Sequence, residues 1–313
     1  MEIEPWTLDK WDSDKEAILA MEEKCFVPEL RMDEDEILDS LDSAIAFVAR
    51  ENGKIIGMTY GNIYSDLDKE WFEGYFEPKD YKKYNEFRSL YITSTCVDPD
   101  YRSQDVCLRI RIEMINYCRN LNFHYFISHA HEGSMTNLYI KLGGICVATF
   151  HNWYGSEETH YLCEMDITTL CINYAPFVKQ KSDYDCAQAS LKVMGINAEG
   201  LSMNEDLGTS HENIAILLWS QKIGFTYRYN TPLTYLYHRI KDNGDLILVN
   251  YTEDGEGHYS VIMGISQDKI IIRDVWDGKI YSYDLNVFTD MWYSKMYGYK
   301  WSLAVNYLYP KGI

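Results

Sequence analysis

Residues 180–189 read QKSDYDCAQA and place a cysteine at the start of a predicted helix, which we expect to cover residues 186–194 and to end at Gly195. A helix N-terminus carries partial positive charge and free N–H groups, so it favours a thiolate over a thiol. A thiolate is the nucleophile that acyl chemistry requires. Cys186 is therefore predicted to be a catalytic nucleophile, and the alternative is a buried structural thiol.

Gln180 precedes this cysteine in the same stretch. Its side-chain amide can swing toward the point that the backbone N–H of Cys186 faces. Two donors that converge on one point stabilise the oxyanion of an acyl-transfer reaction. We therefore predict that Gln180 and the Cys186 backbone form an oxyanion hole.

Residues 257–265 read GHYSVIMGI, and residues 270–274 read IIIRD. They predict two antiparallel strands, 258–266 and 269–274, that would bring His258 and Asp274 level. Asp274 would then accept a hydrogen bond from one imidazole nitrogen while the other faces Cys186, as in a Cys–His–Asp triad. The alternative for His258 is a satisfied strand histidine.

These residues resemble the C39 family of bacteriocin-processing peptidases, a branch of the papain-like clan. The family pattern has Gln, an Asp-Cys pair, His-Tyr or His-Phe at a strand start, and a later Asp. The stretch Gly208-Thr209-Ser210 before a predicted helix is also similar. Two positions depart from the pattern: Ala187 stands where the family has Gly, and Val275 where it has Pro.

The first half of the chain predicts a mixture of strands and helices. An Asn52-Gly53 turn joins two strands of a hairpin. The expected strands are 1–8, 44–50, 54–63, 89–97, 125–128, 145–152 and 160–166, and the expected helices are 12–25, 33–41, 103–120 and 134–142.

This order of elements resembles the GNAT acyltransferase fold. The resemblance is strongest at residues 95–102, TCVDPDYR, and 138–143, LYIKLG. It implies that the backbone near Cys96 and Val97 holds an acyl carbonyl and that Tyr139 protonates the departing CoA thiolate. An aromatic residue that packs a short helix onto the sheet is the alternative for Tyr139.

GNAT enzymes hold the CoA pyrophosphate on a loop of the form Arg/Gln-x-x-Gly-x-Gly/Ala, whereas residues 102–107 read RSQDVC. Asp105 replaces the first Gly, and each like-charge pair costs roughly 4 kcal/mol at about 4 Å and an effective dielectric constant of about 20. The domain is thus either an acyltransferase with a drifted loop or a former GNAT used for docking. The residues expected at the cofactor are Cys96, Val97, Arg102, Ser103, Gln104, Asp105, Val106 and Cys107.

Composition limits the partners. The chain has 29 Lys and Arg against 48 Asp and Glu, a formal charge of −19 that repels nucleic acid and suits a basic peptide. Its eight Cys form no C-x-x-C pair, which indicates reduced thiols, and His129 and His131 lack an evident third metal ligand. With no signal-like start and no apolar run long enough for a membrane span, we expect a cytoplasmic protein and no membrane partner.

We therefore predict α/β and α+β architecture in two domains. Residues 1–168 would be a GNAT-like domain with a mixed sheet, and residues 169–313 a C39-like papain-fold domain with a helix and an antiparallel sheet. The predicted function is a thiol hydrolase that acts on a peptide and needs no metal or redox cofactor. The alternatives are an N-acyltransferase that uses acetyl-CoA, an enzyme that both trims and acylates one peptide, and a non-enzymatic interaction protein.

Overall fold

The computed structural model describes residues 1–67, 78–151, 153, 157–205, 208–253, 255–293 and 298–306. The chain divides into two compact units, Met1–Thr168 and Thr169–Ile313. Residue 152, the last position of a predicted strand, lies outside the described residues. Within these ranges, no helix is both long and apolar enough to cross a lipid bilayer.

The first unit is a mixed sheet with helices, as predicted. The strands follow the order β1-β2-β3-β4-β5-β7-β6, and β4 and β5 are the parallel pair. A mostly polar helix, α3, was not predicted, because its sequence has no apolar stripe. The elements are β1 (Glu2–Trp6), α1 (Trp11–Cys25), α2 (Glu34–Asp42), β2 (Ile45–Glu51), β3 (Lys54–Ile63), α3 (Pro78–Glu86), β4 (Ser89–Val97), α4 (Val106–Asn120), β5 (Tyr125–His131), α5 (Ser134–Lys141), β6 (Ile145–Phe150) and β7 (His160–Asp166).

Local sequence accounts for several of these elements. Asn52 and Gly53 both have positive φ, 51° and 80°, which is the turn that matches the twist of a two-stranded hairpin. Asp33 caps α2: its carboxylate accepts from the backbone N–H of Glu36, whose own carboxylate accepts from the Asp33 N–H. These contacts fix where β2 ends and where β3 and α2 begin.

Strands β4 and β5 pair over only a short length. Their register runs from Ser89 with Tyr125 to Tyr91 with Ile127. Beyond Tyr91 and Ile127 their mutual pairing ends, while β4 continues to pair with β3 and β5 continues to pair with β7. The C-terminal halves of β4 and β5 therefore part from one another.

The second unit is an antiparallel sheet with helices, again as predicted. Its strands follow the order β13-β12-β11-β10-β14-β9, and β8 pairs with β11. The sequence analysis did not predict β8, β9, β14, α8 or α9. The elements are β8 (Cys171–Ile172), α6 (Cys186–Val193), α7 (His211–Ser220), β9 (Gly224–Tyr229), α8 (Leu233–Asn243), β10 (Ile247–Glu253), β11 (Glu256–Ile265), β12 (Lys269–Arg273), β13 (Ile280–Asp284), α9 (Leu285–Met291) and β14 (Trp301–Asn306).

A buried hydrogen bond ties α6 to β11. The Ser190 hydroxyl donates to the Tyr259 carbonyl oxygen over 3.1 Å. Cys186 precedes Ser190 by about one helical turn, and His258 precedes Tyr259 by one residue. The contact therefore sets the start of α6 beside the start of β11.

Candidate active sites

The second unit brings the side chains of His258 and Asp274 together. The His258 Nε2 and the Asp274 Oδ1 are 2.9 Å apart, and both side chains are largely buried. The strand register differs from the expected one: Arg273 pairs with Val261, so His258 and Asp274 are offset diagonally rather than level. Asp274 follows the last residue of β12.

A β-bulge between Ile262 and Gly264 makes this pairing possible. Near the turn between β11 and β12, Ile265 pairs with Ile270. If this register continued along both strands, Asp274 would lie opposite Val261. The bulge shifts the register by one residue and sets Asp274 about level with Ser260. Because alternate residues of a strand face the same side, Asp274 then shares a face with His258.

Asp274 has two further hydrogen-bond donors. The Tyr251 hydroxyl donates to its Oδ2 over 2.7 Å, and the Trp276 backbone N–H donates to its Oδ1 over 2.7 Å. Burial raises the pKa of Asp274, but the bonds from His258, Tyr251 and Trp276 outweigh it and hold the pKa below its usual value. Tyr251 was not among the sequence-predicted residues. It is the cross-strand partner of His258, and its ring also packs edge-on against the imidazole.

Cys186 is the first residue of α6 and is buried, at 7% exposure. Burial lowers the pKa of His258, but hydrogen bonds with Asp274 and with Cys186 outweigh it and raise the pKa to about 10. The imidazole therefore stays protonated at neutral pH between a carboxylate and a thiol.

Gln180 is buried near the start of the loop that leads to Cys186. Its backbone N–H donates to the Val275 carbonyl over 2.7 Å, which links this loop to the residue after Asp274. Its side-chain Nε2 donates to the Ser182 carbonyl over 2.9 Å. The Asp185 carboxylate accepts from the backbone N–H groups of Lys181 and Ser182 and holds the loop closed.

In the first unit, the loop before α4 has the backbone that a glycine loop would have. Ser103 and Asp105 both have positive φ, 63° and 59°. Asp105 is the N-cap of α4, so this loop leads straight into a helix N-terminus. The Gln104 side chain donates to the Asp100 carbonyl, and the Cys107 thiol lies 3.9 Å from the Met135 sulfur.

Arg102 is directed at the end of β4. Its Nε donates to the Val97 carbonyl over 3.4 Å, and its Nη2 lies 3.7 Å from the Cys25 sulfur. The Cys25 thiol also donates to the Val97 carbonyl over 3.4 Å. Hydrogen bonds with Cys96 and Arg102 lower the pKa of Cys25 to about 6.

Glu22 lies one turn earlier in α1 and is buried beside this group. Its carboxylate accepts from the Met32 backbone N–H over 3.2 Å and from the Cys96 thiol over 3.6 Å. Burial raises the pKa of Glu22 to about 7. Sequence analysis missed Glu22 because it stands in an acidic helix, residues 22–23 being EE, where no local signal separates a buried carboxylate from an exposed one.

Tyr139 is buried in α5, and its pKa is raised to about 12 by burial, although Arg111 and Ser128 lower it.

The two histidines of β5 have separate partners. His129 hydrogen-bonds Tyr91, and His131 hydrogen-bonds the Glu132 carbonyl. Within the described part of the chain, no three His, Cys, Asp or Glu side chains are grouped as metal ligands.

Family comparisons match the two units separately. Residues 15–143 match the acetyltransferase (GNAT) family, and residues 186–292 match a family described as papain-like cysteine protease AvrRpt2. The predicted resemblances to GNAT enzymes and to papain-like peptidases are therefore confirmed, while the matched peptidase family is not named as C39. Each unit of the chain is thus similar to a family of enzymes.

Solved structures similar to this chain include GNAT enzymes. The ribosomal-protein-S18-alanine N-acetyltransferase from Escherichia coli is 14% identical, with 53% of this chain and 94% of that chain covered and a TM-score of 0.41. NAA60 from Arabidopsis thaliana, in complex with acetyl-CoA, is 16% identical, with 53% and 98% covered and a TM-score of 0.40. The comparison with curated proteins gives no match.

Proposed function

We propose that the second unit is a cysteine peptidase or amide hydrolase that acts on a peptide through Cys186, His258 and Asp274. The observations that support this proposal are the 2.9 Å contact between the His258 Nε2 and the Asp274 Oδ1 and the position of Cys186 as the first residue of α6, a helix that the Ser190–Tyr259 hydrogen bond ties to β11. A nucleophile beside a base that a third group orients is the arrangement of covalent acyl chemistry.

In the proposed reaction, the Cys186 thiolate attacks the carbonyl carbon of the scissile amide while His258 holds the proton. The oxyanion accepts hydrogen bonds from the Cys186 N–H and from the second amide hydrogen of Gln180, whose first is engaged with Ser182. The imidazolium then gives its proton to the leaving amine as the C–N bond breaks. Water, deprotonated by His258, hydrolyses the thioester and returns the thiol.

We further propose that this chemistry is of the C39 type and operates in the cytoplasm. The motif around Cys186 and the His258-Tyr259 pair support the first point. All eight cysteines are free thiols, which suits a reducing compartment. No step requires a metal or redox cofactor.

Single-residue variants test the roles on a peptide mixture read by mass spectrometry. Cys186→Ala should abolish cleavage, and His258→Ala should nearly do so. Gln180→Ala should lower kcat by about 10²–10³-fold and leave KM little changed. Cleavage by Cys186→Ala at the native rate would refute the proposal, and full activity of Gln180→Ala would remove that residue from the oxyanion hole.

A second function, N-acyl transfer by the first unit, is favoured by Glu22. A buried carboxyl with a pKa of about 7 at the end of β4 is suited to take a proton from an amine. Acetyl-CoA would supply the activated acyl group when bound. The loop conformation at Ser103 and Asp105 and the N-terminus of α4 fit its pyrophosphate, although the Asp105 charge opposes it.

In this second function, Glu22 receives the amine proton and the buried Tyr139 hydroxyl gives a proton to the departing thiolate. Glu22→Gln should lower acetylation of a peptide amine by about 10²-fold or more, since a general base contributes that much. Acetyl-CoA binding, measured by calorimetry, should be unchanged in that variant. If the wild type does not bind acetyl-CoA at millimolar concentration, the domain is a docking module instead.

A further inference from the structure

Arg111 is a buried cation on the inner side of α4. It is 1% exposed, and its Nη2 donates to the Thr95 hydroxyl of β4 over 3.2 Å. Among the residues that the structure describes, its Nε and Nη1 have no hydrogen-bond partner, and no carboxylate forms an ion pair with it. Two charged donors are thus withdrawn from solvent without an acceptor.

The guanidinium lies where β4 and β5 part. It donates a hydrogen bond to Thr95 on β4, and its Cζ lies 6.0 Å from the ring centroid of Phe126 on β5. The same carbon lies 5.3 Å from the ring centroid of Tyr139 on α5. Arg111 therefore adjoins both the strand segment beside Cys96 and the tyrosine proposed to protonate the leaving thiolate.

An isolated buried charge is costly in free energy. The penalty for removing one ion from water is several kcal/mol even after relaxation, and a hydroxyl partner and ring faces offset only part of it. A neutral carbonyl would satisfy a donor but would leave the charge uncompensated. A carboxylate supplies both an acceptor and the opposite charge, and guanidinium is the side chain best suited to bind it.

We propose that Arg111 binds the free carboxylate of a dicarboxylic acyl thioester, of which succinyl-CoA and malonyl-CoA are examples. This inference rests on the proposed binding of an acyl-CoA by the first unit and specifies the class of acyl group. The donor enters between β4 and β5, its thioester lies near Cys96 and Val97, and the far end of its acyl chain reaches Arg111.

Calorimetry on the full chain tests this with matched pairs of ligands. Succinyl-CoA and butyryl-CoA have acyl chains of equal length and differ in the terminal carboxylate, as do malonyl-CoA and propionyl-CoA. In at least one pair, we expect the carboxylate ligand to bind the wild type at least about tenfold more tightly, equivalent to about 1.4 kcal/mol. Arg111→Met should abolish this preference, while Arg119→Met, which removes a charge from the same helix, should keep it.

The outcomes distinguish a failure of the inference about Arg111 from a failure of the proposal that the first unit binds an acyl-CoA. Equal affinity for both members of both pairs in the wild type would overturn the inference and leave acyl-CoA binding intact. No binding of any of the four would overturn both. A preference that survives in Arg111→Met would also overturn the inference. If Arg111→Met does not fold, Arg111→Lys replaces it: a point charge without the guanidinium geometry should weaken the preference, and an unchanged preference would overturn the inference.

Discussion

The charge on the His258 imidazole depends on its interactions with Asp274 and Cys186. Its pKa is raised from 6.5 to about 10 by Asp274 and Cys186 despite burial, so the folded state binds the proton more tightly than the unfolded chain does. The resulting stability is fully present below pH 6.5 and is lost as the pH rises through about 10. The imidazolium form of His258 should disappear over the same alkaline range.

Asp274→Asn should move that loss to lower pH, because it removes the anion that favours the imidazolium. We expect the pKa of His258, followed by NMR of the ring protons, to fall by at least about one unit. The alkaline end of the pH profile of Cys186 alkylation should shift with it. Asp277→Asn, a matched change in the same loop, should shift neither. An unaltered His258 pKa in Asp274→Asn would show that Asp274 does not hold the imidazolium.

Two cysteines should react fastest with iodoacetamide. Cys186 has an imidazolium partner, and the pKa of Cys25 is lowered to about 6 by hydrogen bonds with Cys96 and Arg102. Peptide mapping over time should find both at least about tenfold ahead of buried Cys118, whose pKa burial raises to about 12.

Two variants should separate these reactive cysteines. His258→Ala should slow alkylation of Cys186 and leave Cys25 unchanged, while Arg102→Met should do the reverse. If either variant slowed the alkylation of both thiols equally, His258 and Arg102 would not each determine the reactivity of the neighbouring cysteine.

Among the secondary-structure elements, the start of α4 combines backbone strain with the negative charge of Asp105. Ser103 and Asp105 both occupy the left-handed region, which costs a residue other than Gly about 1–2 kcal/mol. Ser103→Gly and Asp105→Gly relieve the same kind of strain, but only the second removes a charge. Both should therefore have similar effects on the free energy of unfolding, while only Asp105→Gly should strengthen acetyl-CoA binding.

The gain in Asp105→Gly should be largest at low ionic strength, since screening weakens charge repulsion at a surface. Calorimetry at two salt concentrations measures it. Equal strengthening by Ser103→Gly would show that backbone strain, rather than the Asp105 carboxylate, limits acetyl-CoA binding.

The same elements show what sequence predicts well. The helix beginning at Cys186 and the strand pair around His258 were predictable because residue spacing and a recognisable motif are local. The diagonal contact between His258 and Asp274 was not, because it depends on which residue of β11 forms the bulge. Helix α8 was not predicted, although Leu233, Leu236, Tyr237 and Ile240 follow helical spacing.

At the scale of the molecule, two sheets and a division near residue 168 follow from the order of predicted elements, and both fold classes were predicted. The sequence alone does not show which side chains that are far apart along the chain come into contact. Tyr251 reaches Asp274 because β10 pairs with β11 in one register, and Glu22 reaches Cys96 because α1 packs over β4. Each contact joins segments that only tertiary packing brings together.

The net charge of the whole chain predicts how substrates are selected. A formal charge of −19 attracts a basic peptide and repels an acidic one, and salt screens both effects. For a basic peptide, kcat/KM should fall about tenfold between ~50 and ~500 mM NaCl, through KM rather than kcat. An acidic peptide with the same scissile bond should show the opposite trend, and a neutral one should change little. If all three peptides respond alike, salt acts on the catalytic groups themselves and the charge of the chain does not select substrates.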